Sequence, residues 1–208
     1  MDFFRRTSAT PRRLAVLPGT FNPPTRAHLA LARAALASVD EVLFVLPRAF
    51  PHKSYTGASF EDRVRMLAAA AGGEPRFSIA SSDGGLFIEV ARQCREAYGP
   101  DVELLILCGR DAAERAVSWD YGHPGAFREQ LGEYGLLVAP RAGSYRPPVE
   151  FEDRIQGLAA VDGCDEVSAT DVRERIRRGE PWEDLVPRPI VEMVRGIYRE
   201  GKEEWGHE

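Results

Sequence analysis

Short apolar runs alternate with helix-like patterns along the first two thirds of the chain. Continuous apolar runs predict five buried strands, at residues 13–17, 41–46, 77–80, 102–107 and 135–139. Apolar residues at helical spacing predict helices at 26–37, 60–71, 86–98, from about 111 onward and at 127–131. Strands that are linked through helices pair in parallel, so the pattern predicts an α/β fold with a doubly wound parallel sheet.

The last third of the chain is less regular. It predicts an irregular stretch, a short strand and two C-terminal helices, at 141–151, 158–161, 170–178 and 189–198. We expect a single domain over residues 1–208, with a doubly wound core at 13–140 and a C-terminal part at 141–208. Ligands of such sheets bind outside the carboxyl ends of the strands, which is where candidate chemistry is expected.

Charge and cysteine content narrow the classes of partner. The formal net charge of −5 does not indicate binding to duplex nucleic acid, because such binding usually requires a clustered basic face. The three cysteines, Cys94, Cys108 and Cys164, are too scattered for a disulfide framework or a paired metal site. Residues 1–13 lack a signal-peptide core, and no apolar run approaches the roughly 18 to 20 residues that a transmembrane helix needs. We therefore expect a cytoplasmic protein with no nucleic-acid or membrane partner.

A turn rich in Gly, Asn and Pro follows the first predicted strand. Backbone N–H groups and the positive end of the next helix favour an anion there, and Gly19 lets the backbone come close to it. Thr25 and His28 are three residues apart, so a hydroxyl and an imidazole project from the same side of the first helical turn. The alternative is that Thr25 is only an N-cap and His28 only packs against the sheet. The turn is neither a GxGxxG fingerprint nor a P-loop, which disfavours a dehydrogenase or a P-loop kinase.

The letters GTFNPPTRAH at 19–28 resemble the signature of the nucleotidyltransferase superfamily, GTFDP or GSFNP followed by (H/T)xGH. Thr25 stands at the first position of the second half, and Ala27 replaces its glycine. The resemblance implies a Rossmann-like nucleotidyltransferase fold in which His28 stabilises charge on the bridging and leaving oxygens of ATP. It also implies that Thr25 helps to hold the phosphates, together with the residues before it: Gly19, Thr20, Phe21 and Asn22.

A second cluster follows the second predicted strand. The letters PHK at 51–53 precede a helix with RVRML at 63–67, and the stretch is similar to nicotinate and nicotinamide mononucleotide adenylyltransferases. Those enzymes carry a PxPHK-like loop before R-x-x-M-L. The resemblance implies that Lys53 supplies a positive charge to the phosphate of the acceptor. Without the resemblance, Lys53 is an ordinary solvated loop lysine and His52 is loop surface.

A third cluster precedes the first predicted C-terminal helix. The letters VSATDVR at 167–173 resemble the ISSTxIR motif of the same family, with an alanine in place of one serine. The resemblance implies that Ser168 and Thr170 bind ATP and that Arg173 holds its β and γ phosphates, to which a forked guanidinium is suited. Taken alone, the run is also an ordinary capping box, because an aspartate follows Ser168 by three residues.

The end of the fourth predicted strand carries a GxD step like that of the family. By resemblance, Gly109 allows close approach of the ligand and Asp111 accepts a hydrogen bond from the ATP ribose. Trp119 matches a tryptophan that stacks on the pyridine ring of the acceptor, and its alternative role is core filler. The GxSYTxDT stretch of bacterial nicotinate enzymes is replaced by SSDGGLFIE at 81–89. Phe87 is the candidate for a replacement ring contact.

The activity that the resemblance implies is adenylyl transfer. The phosphate of nicotinate or nicotinamide mononucleotide attacks the α-phosphorus of ATP in line and releases pyrophosphate. Mg²⁺ bridges the polyphosphate through water and phosphate ligands, so no carboxylate cluster is required. The altered 84–89 loop leaves open a related ATP or CTP transferase with another phosphorylated acceptor, and a nucleotide-binding module without turnover is a third alternative. A class I tRNA synthetase is disfavoured, because the chain is short and lacks a KMSKS-like loop.

Overall fold

The computed structural model describes residues 1–48, 57–139, 145–159 and 167–200, and seven strands within these ranges form one sheet. The strands are β1 (Asp2–Arg5), β2 (Arg13–Pro18), β3 (Glu41–Pro47), β4 (Phe77–Ser82), β5 (Glu103–Gly109), β6 (Gly135–Ala139) and β7 (Ile155–Gly157). Their order across the sheet is β1-β4-β3-β2-β5-β6-β7, and every neighbouring pair except β1 with β4 runs parallel. The predicted doubly wound parallel sheet is therefore confirmed, apart from the antiparallel edge strand β1.

Helices flank the sheet on both faces. They are α1 (Arg26–Ala35), α2 (Phe60–Ala71), α3 (Phe87–Tyr98), α4 (Arg110–Ser118), α5 (Ala126–Gln130), α6 (Ala169–Arg178) and α7 (Val191–Glu200). The hydroxyls of Thr25, Ser59 and Ser168 cap α1, α2 and α6, so these helices begin where the sequence provides an N-cap. None of the described helices is both long and apolar enough to cross a membrane.

The sheet divides the core into two layers. Along β2, Ala15 and Leu17 face the layer that contains α1, α2, α6 and α7, whereas Leu14 and Val16 face the layer that contains α3, α4 and α5. All four side chains are at most 5 % exposed, as expected for a parallel strand that is covered on both faces. Tyr198 of α7 belongs to the first layer, where the C-terminal helix packs against α2 and α6.

The return from β4 to β5 creates a crevice at the centre of the sheet. From β2 the chain moves outward through β3 and β4, then comes back to form β5 on the other side of β2. The loops that follow β2 and β5 thus leave neighbouring parallel strands at the same edge and lead to helices on opposite faces. Ligands of open α/β sheets bind at such a switch point.

Two strands differ from the sequence prediction. The hydrophobic pattern does not predict β1, a short antiparallel edge strand in which exposed and half-buried residues alternate. The predicted strand at 158–161 is wrong at its described residues, 158 and 159, because the strand lies three residues earlier as β7. There Ile155 is buried and pairs with Leu136, while the polar neighbours Arg154 and Gln156 conceal the strand from the hydrophobic pattern.

Candidate active site

The loop between β2 and α1 folds around one buried ring. Phe21 is fully buried, has a left-handed backbone with φ of 47°, and packs edge-on against Phe44 and His28. A Cβ added at Gly19 would come within 2.9 Å of the Phe21 Cζ. The Gly19 N–H donates to Val45 O at 3.0 Å, so a protein group already uses it. The absence of a side chain at Gly19 therefore makes room for Phe21, and the close approach of a phosphate stays a prediction.

We expect Gly19→Ala to destabilise the protein. The added methyl group forces the buried Phe21 ring to move, and overpacking of this kind costs about 1 to 3 kcal/mol. Urea unfolding of the wild type and the variant measures the difference in free energy. Gly73→Ala is a matched control, because a Cβ at Gly73 meets no described atom within 4 Å. Equal losses in the two variants would show that the Phe21 contact is not responsible.

Thr25 and His28 form a reciprocal cap at the start of α1. The Thr25 N–H donates to His28 Nδ1 at 2.9 Å, and the Thr25 hydroxyl accepts the His28 N–H at 3.4 Å. Because Nδ1 accepts a backbone N–H, it carries no proton, and the neutral ring holds its hydrogen on Nε2. Burial lowers the pKa of His28 to about 4, so the ring is neutral near pH 7. The N-cap role of Thr25 is thus confirmed, and the Nε2–H has no partner among the described residues.

The neutral ring of His28 predicts a specific acid sensitivity. The unfolded chain binds a proton on this histidine below pH 6.5, whereas the folded protein does so only below about pH 4. Because the unfolded state binds more protons between these values, the free energy of unfolding falls as the pH drops from 6.5 toward 4. We expect His28→Gln, which keeps an acceptor for the cap, to show a weaker pH dependence over this window. Urea unfolding at a series of pH values tests this, and identical slopes would contradict a neutral His28.

Arg173 joins the start of α6 to the loop after β2. Its guanidinium donates to Asn22 O at 2.5 Å and to Thr170 Oγ1 at 3.2 Å. The Ser168 hydroxyl accepts the Asp171 N–H at 3.0 Å, which confirms Ser168 as an N-cap. Desolvation by partial burial lowers the pKa of Arg173, but a guanidinium keeps its charge at neutral pH. A permanent cation therefore lies beside the loop that leads into α1.

Tyr198 and Arg63 hold the same loop through hydrogen bonds from buried side chains. The Tyr198 hydroxyl donates to Asn22 Oδ1 at 2.5 Å, and the Ala58 N–H donates to the same oxygen at 3.3 Å. The buried Arg63 guanidinium donates to Thr20 O at 3.0 Å. Asn22 is only 4 % exposed, so its side chain binds protein groups and fixes the loop. The R-x-x-M-L pattern contains Arg63, whereas no sequence signal connects Tyr198 with Asn22.

Gly109 and Asp111 lie on the other side of the crevice, where β5 ends and α4 begins. Because β5 pairs in parallel with β2, both strands end at the same edge. A Cβ at Gly109 would meet no described atom within 4 Å, which leaves open space beside the strand end. Asp111 is exposed in the first turn of α4. This arrangement suits a ligand that extends across the ends of β2 and β5.

Trp119 and Phe87 line the same cavity, which has a volume of about 410 Å³. Trp119 is 62 % exposed, so the core-filler alternative is wrong. Phe87, at the start of α3, packs edge-on against the buried Tyr134 with 6.4 Å between ring centroids. The cavity lies between the start of α3 and the end of α4, and most of its lining side chains are apolar or aromatic. A flat ring has an indole face and apolar walls available here.

Some residues singled out in the sequence have no described position. Lys53 and His52 lie outside the described residues, as does Cys164. The other two cysteines, Cys94 and Cys108, are buried free thiols, and burial raises the pKa of each to about 12. Within the four described ranges, no three His, Cys, Asp or Glu side chains cluster as a metal site.

Most of the chain is similar to known proteins. Residues 16–175 match the family described as cytidylyltransferase-like. A probable nicotinate-nucleotide adenylyltransferase of Gloeobacter violaceus is 33 % identical over 89 % of this chain and 96 % of its own length. A probable nicotinate-nucleotide adenylyltransferase of Treponema pallidum is also 33 % identical, over 90 % of this chain and 99 % of its own.

Solved structures share the fold at lower identity. The nicotinic acid mononucleotide adenylyltransferase of Plasmodium falciparum complexed with NaAD has a TM-score of 0.67 and 15 % identity, and the match covers 95 % of this chain and 100 % of that one. The same enzyme complexed with APC has a TM-score of 0.68 and 13 % identity, over 90 % and 98 % of the two chains. The family match and the relatives confirm the family that the motifs indicate, and the solved structures confirm the fold. The chain belongs to the cytidylyltransferase-like nucleotidyltransferases, among the relatives of the nicotinate-nucleotide adenylyltransferases.

Proposed function

We propose that this enzyme transfers the adenylyl group of ATP to nicotinate mononucleotide and releases pyrophosphate. The observation that carries the proposal is the presence of two complementary sites. A crevice at the carboxyl ends of the central strands β2 and β5 holds the imidazole of His28 and the guanidinium of Arg173. A cavity at the start of α3 holds the rings of Trp119 and Phe87. The first site suits a triphosphate, the second suits a pyridine ring, and the relatives' names support the same pair of substrates.

The proposed reaction is an in-line displacement to which the protein contributes position and charge. An oxygen of the acceptor's phosphate forms a bond to the α-phosphorus, while the bond to the bridging oxygen breaks and pyrophosphate leaves. His28 donates its Nε2–H to the oxygens that gain charge, and the neutral ring needs no added proton for this. Arg173 and the N-terminus of α6 neutralise the β and γ phosphates. No covalent enzyme intermediate forms.

In this proposal, the other residues predicted from the sequence bind further groups of the two substrates. Asp111 accepts a hydrogen bond from the ATP ribose, and the open space beside Gly109 admits the nucleotide. Thr170 and Ser168 add hydroxyls at the first turn of α6, next to Arg173. Lys53, which lies outside the described residues, neutralises the acceptor's phosphate in this proposal.

Mg²⁺ enters the proposal together with ATP. In this proposal the ion would be bound mainly through the nucleotide, so it would not require a carboxylate cluster of the protein. When bound, it neutralises charge on the polyphosphate. The side chains of Arg173 and His28 would supply the protein's own donors to the phosphate oxygens.

A related transferase with a different phosphorylated acceptor is the second candidate. The observation that favours it is the loop at 84–89, which lacks the hydroxyl groups of the nicotinate enzymes. The aromatic lining from Trp119, Tyr121 and Phe87 favours a planar ring over a flexible chain such as phosphopantetheine. We therefore rank the pyridine mononucleotide first.

A panel assay of the purified protein tests the proposal. ATP or CTP is combined with nicotinate mononucleotide, nicotinamide mononucleotide, phosphopantetheine or glycerol phosphate, and pyrophosphate release and product mass are measured. We expect rapid formation of a dinucleotide from ATP and nicotinate mononucleotide. Preference for a non-pyridine acceptor would support the second candidate. ATP binding in a calorimeter without pyrophosphate from any acceptor would identify a binding module instead.

A further inference from the structure

We propose that Arg115 recognises the ring carboxylate of the acceptor and so makes the enzyme prefer the acid over the amide form of the pyridine mononucleotide. This inference rests on the proposed function and adds a specificity residue to it. Arg115 belongs to none of the three motif clusters. The cavity in which it lies is the one already described for Trp119 and Phe87.

The position of Arg115 places a cation in an otherwise uncharged cavity. Among the described residues that line the cavity, Arg115 alone carries a formal charge. It lies on α4, four residues before Trp119, which caps the end of that helix, and both side chains line the cavity. A ring that stacks on the indole of Trp119 therefore has its substituent within the reach of a long arginine side chain.

The guanidinium of Arg115 is oriented but not neutralised by its neighbours. Its Nε donates to the Asp111 carbonyl oxygen at 3.2 Å, and its two terminal nitrogens have no partner among the described residues. Nearby arginines are paired with carboxylates: Arg110 with Glu114 at 2.7 Å, Arg128 with Asp153 at 2.6 Å and Arg92 with Glu133 at 2.8 Å. Arg115 thus keeps a forked pair of donors available for a ligand.

The chemistry of the two acceptors explains why such a residue discriminates between them. A carboxylate and a carboxamide have nearly the same shape, but only the carboxylate offers two charged acceptors to a guanidinium fork. The amide presents an NH₂ group, whose hydrogens oppose those of the arginine. Apolar walls strengthen the contrast, because they exclude part of the water that would screen the charge. Residues 84–89, which lead into α3, supply Leu86, Phe87 and Ile88 to these walls. They include no lysine or arginine.

Steady-state kinetics of Arg115→Gln with both acceptors tests the proposal. We expect kcat/KM for nicotinate mononucleotide to fall about ten- to hundredfold, the effect of losing a charge-assisted pair, mainly through a higher KM. The value of kcat/KM for nicotinamide mononucleotide should stay the same or rise. Arg115→Lys keeps the charge without the fork, so it should recover only part of the acid preference. Arg92→Gln, an exposed arginine on α3 outside the cavity, should leave both values unchanged.

The outcomes separate this inference from the proposed function. If the wild type makes a dinucleotide from ATP and nicotinate mononucleotide but Arg115→Gln keeps the same acid-to-amide ratio, Arg115 is not the specificity residue and the function still stands. Equal losses with both acceptors, or a lower unfolding midpoint in urea that accounts for the change, would also overturn it as a structural effect. If the wild type forms no dinucleotide from either acceptor, the proposed function fails first.

Discussion

Replacing His28 with alanine is expected to lower turnover by about two to three powers of ten, the usual effect of removing one donor to a charged transition state. The Nε2–H of a neutral ring is aimed, in our proposal, at oxygens that become more negative as the bond to the α-phosphorus breaks. The ring supplies no binding of comparable size to unreacted ATP, so kcat should fall and the KM for ATP should change little. Rapid-quench measurement of pyrophosphate formation gives the rate of the chemical step directly.

Two control variants separate chemistry from folding in this experiment. His28→Gln retains a side-chain acceptor for the Thr25 N–H, so the start of α1 should stay capped while turnover is still lost. His123→Ala removes an exposed histidine whose ring lies 3.7 Å from Glu129, and it should leave turnover unchanged. Undiminished turnover in His28→Ala would refute the role assigned to the imidazole. If unfolding of the variant accounted for all of its lost turnover, His28 would serve only as a helix cap.

Replacing Arg173 with alanine is expected to lower kcat/KM for ATP by about two to three powers of ten, because one side chain has two tasks. The guanidinium neutralises phosphate oxygens in our proposal, and it also donates to the Asn22 carbonyl, which fixes the loop before α1. The variant therefore loses a cation and leaves a carbonyl oxygen without this donor. Stopped-flow binding of a fluorescent ATP analogue, together with steady-state kinetics, measures both losses.

Arg173→Lys distinguishes these two tasks. A lysine keeps the charge but cannot donate to Asn22 O and to a phosphate with the geometry of the guanidinium fork, so we expect only partial recovery. Arg178→Ala changes an exposed arginine at the end of the same helix, where it pairs with Glu180 at 3.1 Å, and should behave like the wild type. Full activity of Arg173→Ala would contradict the assignment of the ATP phosphates to this side of the crevice.

The parallel sheet could be predicted because its strands are covered on both faces. Runs such as Val42–Leu46 in β3 are apolar throughout, and the helices between the strands show their own period. β1 carries no comparable signal, since it is short and its residues alternate between exposed and half-buried. It is held by contacts that become visible only in the fold: it pairs with β4, and its Arg5 guanidinium donates to Ala71 O and Glu74 O, each at 2.8 Å.

Contacts within the candidate site could be predicted where neighbouring residues in sequence act together. Thr25 with His28, and Ser168 through Arg173, are local groups whose spacing fixes their geometry. Contacts between distant segments could not be predicted in this way: Tyr198 reaches Asn22 across 176 residues, and Arg63 reaches Thr20 across 43. The contact between Gly19 and Phe21 is local, but it depends on a left-handed backbone at Phe21 that folds the ring back over the glycine.

Arg115 carries no sequence signal, because its role also depends on contacts between distant segments. Its significance depends on the approach of α4 to the start of α3, which places it in one cavity with Phe87. On the helix alone it is an exposed arginine with a bond to a carbonyl one turn earlier. A motif search therefore finds the tryptophan of this cavity and passes over the cation beside it.

A crystal structure with a non-hydrolysable ATP analogue is the most direct test of where the chemistry occurs. We expect the triphosphate to lie across the ends of β2 and β5, with His28 Nε2 about 3 Å from an oxygen of the α- or β-phosphate and the Arg173 guanidinium on the outer phosphates. A triphosphate bound away from the start of α1, with the His28 ring making no contact to it, would contradict the assignment of this crevice as the site of adenylyl transfer.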